Sequence, residues 1–224
     1  LGWGAYRLLR EAFTGSSEPR LADARLEPGG ILPARVRARL YDAKTIEHRV
    51  RLMRELIRAG GLDPRVRKVA ADVLSQRCGT PSGTDGAWCH PEKKWEREAK
   101  ALFAFVRRNV RYMRDPVDAD AFHGAYRTLD ARAGDCDDSS ILLGSLLLSA
   151  GHPAALRVIQ TIDSSNWNHV YPLAGIGETG KVDYWIPLDA SMDKSAGWEA
   201  PGADEAERTG RPSGIVTRTR SFLV

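Results

Sequence analysis

Apolar residues recur at helical spacing in four stretches of the chain before Gly151, and this spacing predicts four helices that each bury one side. The first is expected from about 43 to 59, with Asp42 as its cap and Gly60-Gly61 as its end. Asp63-Pro64 places a capping residue before a proline at the first helical position and opens the second helix. The two predict a helical hairpin.

The third predicted helix opens at Pro91-Glu92, carries an aromatic stripe and ends near Asn109. The fourth begins at Cys136 and is apolar on almost every side over 141–148. A helix without a polar face must be covered on all sides. This segment is therefore the predicted central helix.

After Gly151 the pattern changes to alternation of apolar and polar residues, which is typical of strands. Strands are expected at 155–160, 167–173 and 181–189, and the glycine-rich stretch 175–180 predicts a hairpin between the last two. These elements predict an antiparallel sheet behind the central helix.

The predicted fold class is α+β, with a central helix packed on an antiparallel sheet and a helical extension at the N-terminus. Residues 1–90 form an arm and the helical hairpin in this scheme, and residues 91–192 form the core. Residues 193–224 are expected to be an irregular tail with a last strand at 215–217. Within the arm, we expect a short amphipathic helix over 6–13 and a short strand over 36–40.

Composition adds limits on the class of protein. The 224 residues are 42% hydrophobic and 28% charged, and no apolar run approaches the roughly 20 residues of a membrane span. We therefore expect no membrane insertion. Because the chain begins at Leu1 rather than at methionine, a removed leader stays open, and cytoplasm is the default expectation.

The net charge of +4 is unevenly distributed. Residues 1–111 carry 23 Lys and Arg against 13 Asp and Glu, whereas residues 112–224 carry 10 against 16. No nucleic-acid motif accompanies the basic half, and an arginine-rich composition also follows from a GC-rich genome. A solvated helix face is favoured over a nucleic-acid surface, and the basic N-terminal helices are a candidate surface for a partner protein.

Cys136 is the candidate nucleophile. It follows the turn Gly134-Asp135 and starts a helix, where unpaired N–H groups and the helix dipole favour a thiolate. Asp135, Asp137 and Asp138 act in the opposite direction, because nearby carboxylates raise the pKa of a thiol. Either they point away, with one capping the helix, or the thiol depends on a histidine for its ionisation.

A thiol nucleophile needs a base and a group that orients the base. His169 lies on a predicted strand and Asp189 at the end of the next one, and an antiparallel hairpin centred near Gly177 would place them nearly opposite each other. Each of these residues taken singly is more often structural. Their order and spacing together favour an array of Cys136, His169 and Asp189.

The other cysteines and histidines receive structural interpretations. Cys78 and Cys89 bracket a loop and could form a disulfide, remain free thiols or, with His90, contribute to a metal site. The metal interpretation is the weakest, because neither a CxxC pair nor a second histidine at ligand spacing is present. His123 lies among turn signals, and His152 follows a helix end where a cation is favourable.

Several motifs in the same order resemble the transglutaminase-like superfamily of papain-type thiol enzymes. The resemblance spans roughly residues 95–192 and rests on five stretches, which are 105–112, Gly134-Asp135-Cys136-Asp137-Asp138, 146–154, Asn168-His169-Val170-Tyr171 and 185–191. It implies a papain-like core. Residues before 90 are similar only to the helical leader of transglutaminase-like proteins encoded in phage and prophage gene clusters.

The resemblance also implies roles for residues. Cys136 would be the nucleophile, His169 the general base and then acid, and Asp189 the residue that fixes the imidazole tautomer. The backbone N–H of Cys136 would be one oxyanion donor. Tyr112 is the candidate for the second donor.

The leading functional hypothesis is a thiol enzyme that attacks an amide carbonyl of a protein or peptide through an acyl-enzyme, most simply a cysteine peptidase or amidase. The alternatives are transglutaminase-type acyl transfer to an amine, and a non-catalytic, phage-related assembly or scaffold protein that retains the fold. No calcium motif of the EF-hand type is present, so neither a metal nor another cofactor is expected.

Overall fold

The computed structural model describes residues 22–24, 36–38, 45–78, 86–115, 121–178, 181–202 and 215–224. The predicted helix at 6–13 lies outside these residues. The described helices are α1 (Ile46–Leu62), α2 (Pro64–Leu74), α3 (Trp95–Asn109), α4 (Ala125–Ala131) and α5 (Cys136–Ser149). The described strands are β1 (Ala22–Ala24), β2 (Val36–Ala38), β3 (Arg111–Tyr112), β4 (Ala133–Gly134), β5 (Ala154–Thr161), β6 (His169–Ile176), β7 (Tyr184–Pro187) and β8 (Val216–Leu223).

The main sheet is antiparallel, and its strand order is β7-β6-β5-β8. Helix α5 packs against β6 and β5 on one side and against α1, α2, α3 and α4 on the others. Two short strand pairs, β1 with β2 and β3 with β4, complete the described strands. The fold is therefore α+β, with a central helix on an antiparallel sheet, as predicted.

Helix α5 is central because it is covered on all sides. Every residue from Asp137 to Leu147 is buried. Asp135 caps its start, and Gly151 follows its end with a φ of +83°, a left-handed conformation that glycine adopts without strain. Both ends were predicted correctly.

Helix α1 differs from its prediction at both ends. Thr45 is its N-cap, with a hydroxyl that accepts from the His48 N–H, whereas Asp42 lies outside the described residues. Gly60-Gly61 lies within the helix and is buried. The glycines are present because α5 passes so close that a Cβ at Gly60 would lie 2.3 Å from Ser145 Oγ. They therefore allow close helix packing and do not end the helix.

The remaining differences concern short or edge elements. Helix α3 begins at Trp95 rather than at Pro91-Glu92, and the seven-residue α4 was not predicted. The N-cap of α4 is Gly124, which has no side chain to form a capping bond. The sequence therefore carries no strong N-cap signal for this helix. Strand β8 is longer than the predicted 215–217 and pairs with β5 along the edge of the sheet. No helix among the described residues is long and apolar enough to cross a membrane.

The packing of Gly60 gives a testable prediction. Gly60→Ala should lower the free energy of unfolding by about 1–3 kcal/mol, because the new methyl group overlaps Ser145 and Ala125. A decrease would indicate crowding, since Gly→Ala within an uncrowded helix raises the free energy of unfolding by about 1 kcal/mol. Urea denaturation of both proteins measures the change.

Gly124→Ala is the matched control, because a Cβ there meets no atom within 4 Å. The free energy of unfolding of Gly124→Ala should fall by less than about 1 kcal/mol, the usual effect of a weakened N-cap. A Gly60→Ala protein as stable as the wild type would contradict the packing explanation.

Candidate active site

Cys136 is the first residue of α5 and is partly buried. The turn before it is fixed by the parallel pair β3 and β4, in which Tyr112 is the partner of Gly134. A Cβ on Gly134 would lie 2.5 Å from the Asp138 Cβ, so glycine is required for the helix to begin here. The position of the thiol is thus set by a tight turn and a buried helix.

The first turn of α5 lies along the edge of β6 beyond the end of β7. Strand β7 ends at Pro187, opposite Leu173, and Pro172 has no N–H with which to continue the ladder. Beyond that point the Val170 carbonyl accepts from Ser140 Oγ at 3.1 Å, and the Val170 N–H bonds to the Cys136 sulfur. Helix α5 therefore takes the place of β7 along this part of β6.

His169 and Asp189 form the second part of the predicted array. His169 Nε2 lies 2.6 Å from Asp189 Oδ2, and Asp189 is buried. The backbone N–H and the hydroxyl of Ser191 bind Asp189 Oδ1 at 3.2 and 2.7 Å. The register that pairs Leu173 with Pro187 places Asp189 diagonally across from His169 rather than nearly opposite it.

This contact determines which nitrogen of His169 remains for the thiol. Because Asp189 occupies Nε2, Nδ1 is the nitrogen that can accept a proton. Val170 joins the two groups, since it follows His169 in sequence and its N–H bonds to the Cys136 sulfur. Within the described residues no hydrogen bond joins Cys136 to His169, and the Cys136 thiol instead donates to Asp137 Oδ1 at 3.6 Å.

Tyr112 lies on β3 with about half of its surface exposed. Burial of the hydroxyl raises its pKa, and the charges of Cys136 and Asp135 raise it further. The phenol is therefore close enough to Cys136 for their charges to interact. Arg114 opposes this shift through its charge and a hydrogen bond.

The three carboxylates of the first turn of α5 each have a separate partner. Asp135 accepts from the N–H groups of Asp137 and Asp138 at 2.9 and 3.2 Å and is the N-cap. Asp137 faces Arg49 of α1, with 3.8 Å between Oδ2 and Nη2. Asp138 accepts from the backbone N–H of His123 at 2.8 Å and from its ring Nδ1 at 2.7 Å.

The pKa of Cys136 is shifted in the opposite direction to the shift expected from a helix terminus alone. Burial raises the pKa of the thiol well above its ordinary value, and the charges of Asp137 and Asp135 raise it further. The bond from the Val170 N–H lowers it, without reversing the shift. The resting thiol is therefore protonated, and its proton must be removed by a base.

The same surroundings raise the pKa of Asp135. Burial and the charge of Asp138 raise it from 3.8 to about 6, against the two backbone N–H bonds that lower it. The cap of α5 consequently changes its charge in mildly acidic solution, next to the thiol.

Cys78 and Cys89 form a disulfide with 4.9 Å between their Cα atoms. Backbone bonds from the Cys78 N–H to the Ala87 carbonyl and from the Cys89 N–H to the Gln76 carbonyl support the bridge. It ties the chain after α2 to the chain before α3. Of the three cysteines in the sequence, Cys136 is then the free thiol.

The two histidines with predicted structural roles differ in environment. The hydrogen bond to Asp138 is the largest cause of the raised pKa of His123. His152 is buried, with its ring nearly perpendicular to that of Trp95 and its Nε2 3.3 Å from Glu98 Oε2, and burial lowers its pKa. His152 therefore does not act as the expected cation at the end of α5.

One group of described residues could hold a metal ion. Ligand atoms of Asp135, Cys136 and Asp137 lie within 4.8 Å of one another. Asp135 Oδ1 already binds two N–H groups, and Asp137 already contacts Arg49 and the thiol. We therefore do not identify these residues as metal ligands.

A comparison with protein families identifies one segment of the chain. Residues 85–190 match the family model of the transglutaminase-like superfamily. This segment belongs to the transglutaminase-like superfamily. It contains Cys136, His169 and Asp189 and begins after α1 and α2.

Solved structures similar to this chain include a candidate cysteine protease from Cytophaga hutchinsonii, at 16% identity over 71% of this chain and 50% of that one, with a TM-score of 0.40. A candidate protease from Parabacteroides distasonis matches at 9% identity over 83% of this chain and 41% of that one, with a TM-score of 0.43. Legionella pneumophila LapG matches at 14% identity over 77% and 87%, with a TM-score of 0.36. This chain therefore spans half or less of the first two proteins. A comparison with curated proteins finds no match.

Sequence reasoning missed Arg49, Ser191 and the use of the Val170 N–H. Only Arg49 had a visible signal, because it lies at core spacing between Ile46 and Met53 on the apolar side of α1. A charged residue in such a stripe indicates a buried partner. The other two act through backbone geometry or a short turn and leave no pattern.

The charge of Asp135 gives a testable prediction for the thiol. Asp135→Asn retains a capping oxygen and removes a charge that raises the pKa of Cys136, so the pH midpoint of alkylation should fall. Mass spectrometry of Cys136 alkylation across pH measures the midpoint. An unchanged or higher midpoint in a folded Asp135→Asn protein would show that this charge does not act on the thiol.

The contact between His123 and Asp138 predicts a pH-dependent stability. Because the pKa of His123 is raised, its contribution is fully present below the ordinary histidine pKa of about 6.5 and is lost as pH rises through the folded value. His123→Gln should therefore lower the free energy of unfolding more at pH 5.5 than at pH 9. The exposed His48→Gln is the control, and an equal loss for His123→Gln at both pH values would rule out the contact as the cause.

Proposed function

We propose that this chain is a thiol-dependent enzyme that hydrolyses an amide bond in a protein or peptide. The pairing of His169 Nε2 with Asp189 Oδ2, beside the strand edge that holds Cys136, carries the proposal. Such a pair fixes the tautomer and leaves Nδ1 as a base toward the thiol. The superfamily match over residues 85–190 supports the same chemistry.

In the proposed reaction the Cys136 thiol turns from Asp137 toward His169. Its proton passes to Nδ1 as the sulfur forms a bond to the carbonyl carbon, and the carbonyl electrons move to the oxygen. When the tetrahedral intermediate collapses, the C–N bond breaks and the leaving amine takes the proton from His169. A water molecule then attacks the thioester by the same route, which releases the acid and restores the thiol.

The surroundings of His169 fit this proton transfer. Asp189 stabilises the imidazolium that forms, and the two bonds from Ser191 hold Asp189 in place. Because the resting thiol is protonated, this is general-base catalysis rather than attack by a stored thiolate. The Cys136 N–H and the Tyr112 hydroxyl are the proposed oxyanion donors.

Two alternatives remain as proposals of lower rank. An amine in place of water would give transglutaminase-type acyl transfer with the same acyl-enzyme. A non-catalytic scaffold that binds a partner through the basic N-terminal helices is favoured by one observation, which is that the thiol donates to Asp137 rather than to His169.

The test is incubation of the protein with a denatured protein mixture and a tagged primary amine, followed by mass spectrometry. We expect new peptide termini, a loss of this product in Cys136→Ala, and a decrease of roughly 10²–10⁴-fold in His169→Ala, the usual contribution of a general base. Tagged amides in place of new termini would indicate acyl transfer. Equal product from wild type and Cys136→Ala would contradict both reactions.

A further inference from the structure

We propose that Arg49, on a helix outside the transglutaminase-like segment, is a positioning residue that sets the reactivity of Cys136 through Asp137. Arg49 lies on α1, and the family match begins only at residue 85. The inference rests on the proposed function, since it assigns a role in the reaction of the same thiol.

The first observation is the burial of both charges. The side chains of Arg49 and Asp137 are 5% and 4% exposed, with 3.8 Å between Nη2 and Oδ2. The guanidinium of Arg49 lies over the ring of Phe122, with 5.1 Å between Cζ and the centre of the ring. Burying an ion pair is costly and seldom stabilises a fold more than apolar residues of similar size would. Packing alone therefore gives a poor reason for a cation at a core position of α1.

The second observation is that Asp137 connects Arg49 to the thiol. Its Oδ2 faces Arg49, whereas its Oδ1 accepts from the Cys136 thiol at 3.6 Å. An unneutralised carboxylate at this distance would hold the proton on sulfur and oppose the thiolate. The positive charge of Arg49 offsets that of Asp137 and fixes the direction of its carboxylate. Arg49 therefore lowers the free energy needed to ionise Cys136.

Other titratable groups lie around the first turn of α5 and must stay constant in a test. Asp135 and Tyr112 interact electrostatically with Cys136. The others are Asp138 in the same turn of α5, His169 on β6 and Asp189 after β7. Asp138 is paired with His123, and Asp189 with His169. Arg49 acts on a carboxylate that neither of these pairs includes.

The test measures the rate of Cys136 alkylation by iodoacetamide against pH in the full chain. Arg49→Met should raise the pH midpoint by about one unit and slow alkylation at pH 7 about tenfold, since one pKa unit is a factor of ten. Arg49→Lys, which keeps the charge, should restore most of the rate. Arg65→Met is the matched control, because Arg65 pairs with Asp63 on the exposed surface of the same hairpin.

The double variant Arg49→Met/Asp137→Asn shows whether Arg49 acts through Asp137. It removes both buried charges, so it should fold even if the single variant does not, and its midpoint should return to the wild-type value or below. A raised midpoint in the double variant would overturn the route through Asp137. A lowered melting temperature with an unchanged midpoint in Arg49→Met would overturn the proposal by making Arg49 purely structural.

Amide cleavage separates this inference from the proposed function. If Arg49→Met shifts the midpoint while the wild type cleaves no amide, Arg49 sets the reactivity of the Cys136 thiol and the proposed enzymatic function is wrong. If the wild type cleaves amides and Arg49→Met keeps both its midpoint and its cleavage rate, the function stands and the role of Arg49 is overturned.

Discussion

The burial of the first turn of α5 is the constraint on which the rest of the site depends. This turn places a thiol and three carboxylates where water is largely excluded, so each charge must find a partner in the protein. The partners come from the helix itself, from α1 and from the chain before α4. The fold around Cys136 is therefore as much an arrangement of compensating charges as an arrangement of apolar layers.

This constraint explains the state of the thiol. Burial raises the pKa of Cys136, and the charges of Asp137 and Asp135 raise it further, so a helix terminus alone does not activate the thiol. In the proposed reaction, activation comes from His169, whose Nε2 is held by Asp189. The helical hairpin then has a chemical connection to the site, because Arg49 reaches the carboxylate next to the thiol.

The elements with strong periodic patterns, and the order of the motifs along the chain, could be predicted from the sequence. It predicted the start of α5 at Cys136, the cap at Asp63 and the pairing of β6 with β7, because glycine turns, caps and alternation act locally. It misread Gly60-Gly61 as a helix end, because only the close approach of α5 shows why glycine is there. The partners of Asp137 and Asp138 depend on contacts between distant parts of the chain, which periodicity does not encode. The division of the chain at residues 90 and 192 stays a prediction.

The central claim is that His169 removes the proton from Cys136. The most direct measurement is the rate of Cys136 modification by iodoacetamide at pH 7 without reductant, in the wild type and in His169→Ala, with the unfolded chain as reference. The account predicts that modification, expressed relative to the unfolded chain, is at least tenfold slower in folded His169→Ala than in the folded wild type. Equal rates in the two folded proteins would contradict it.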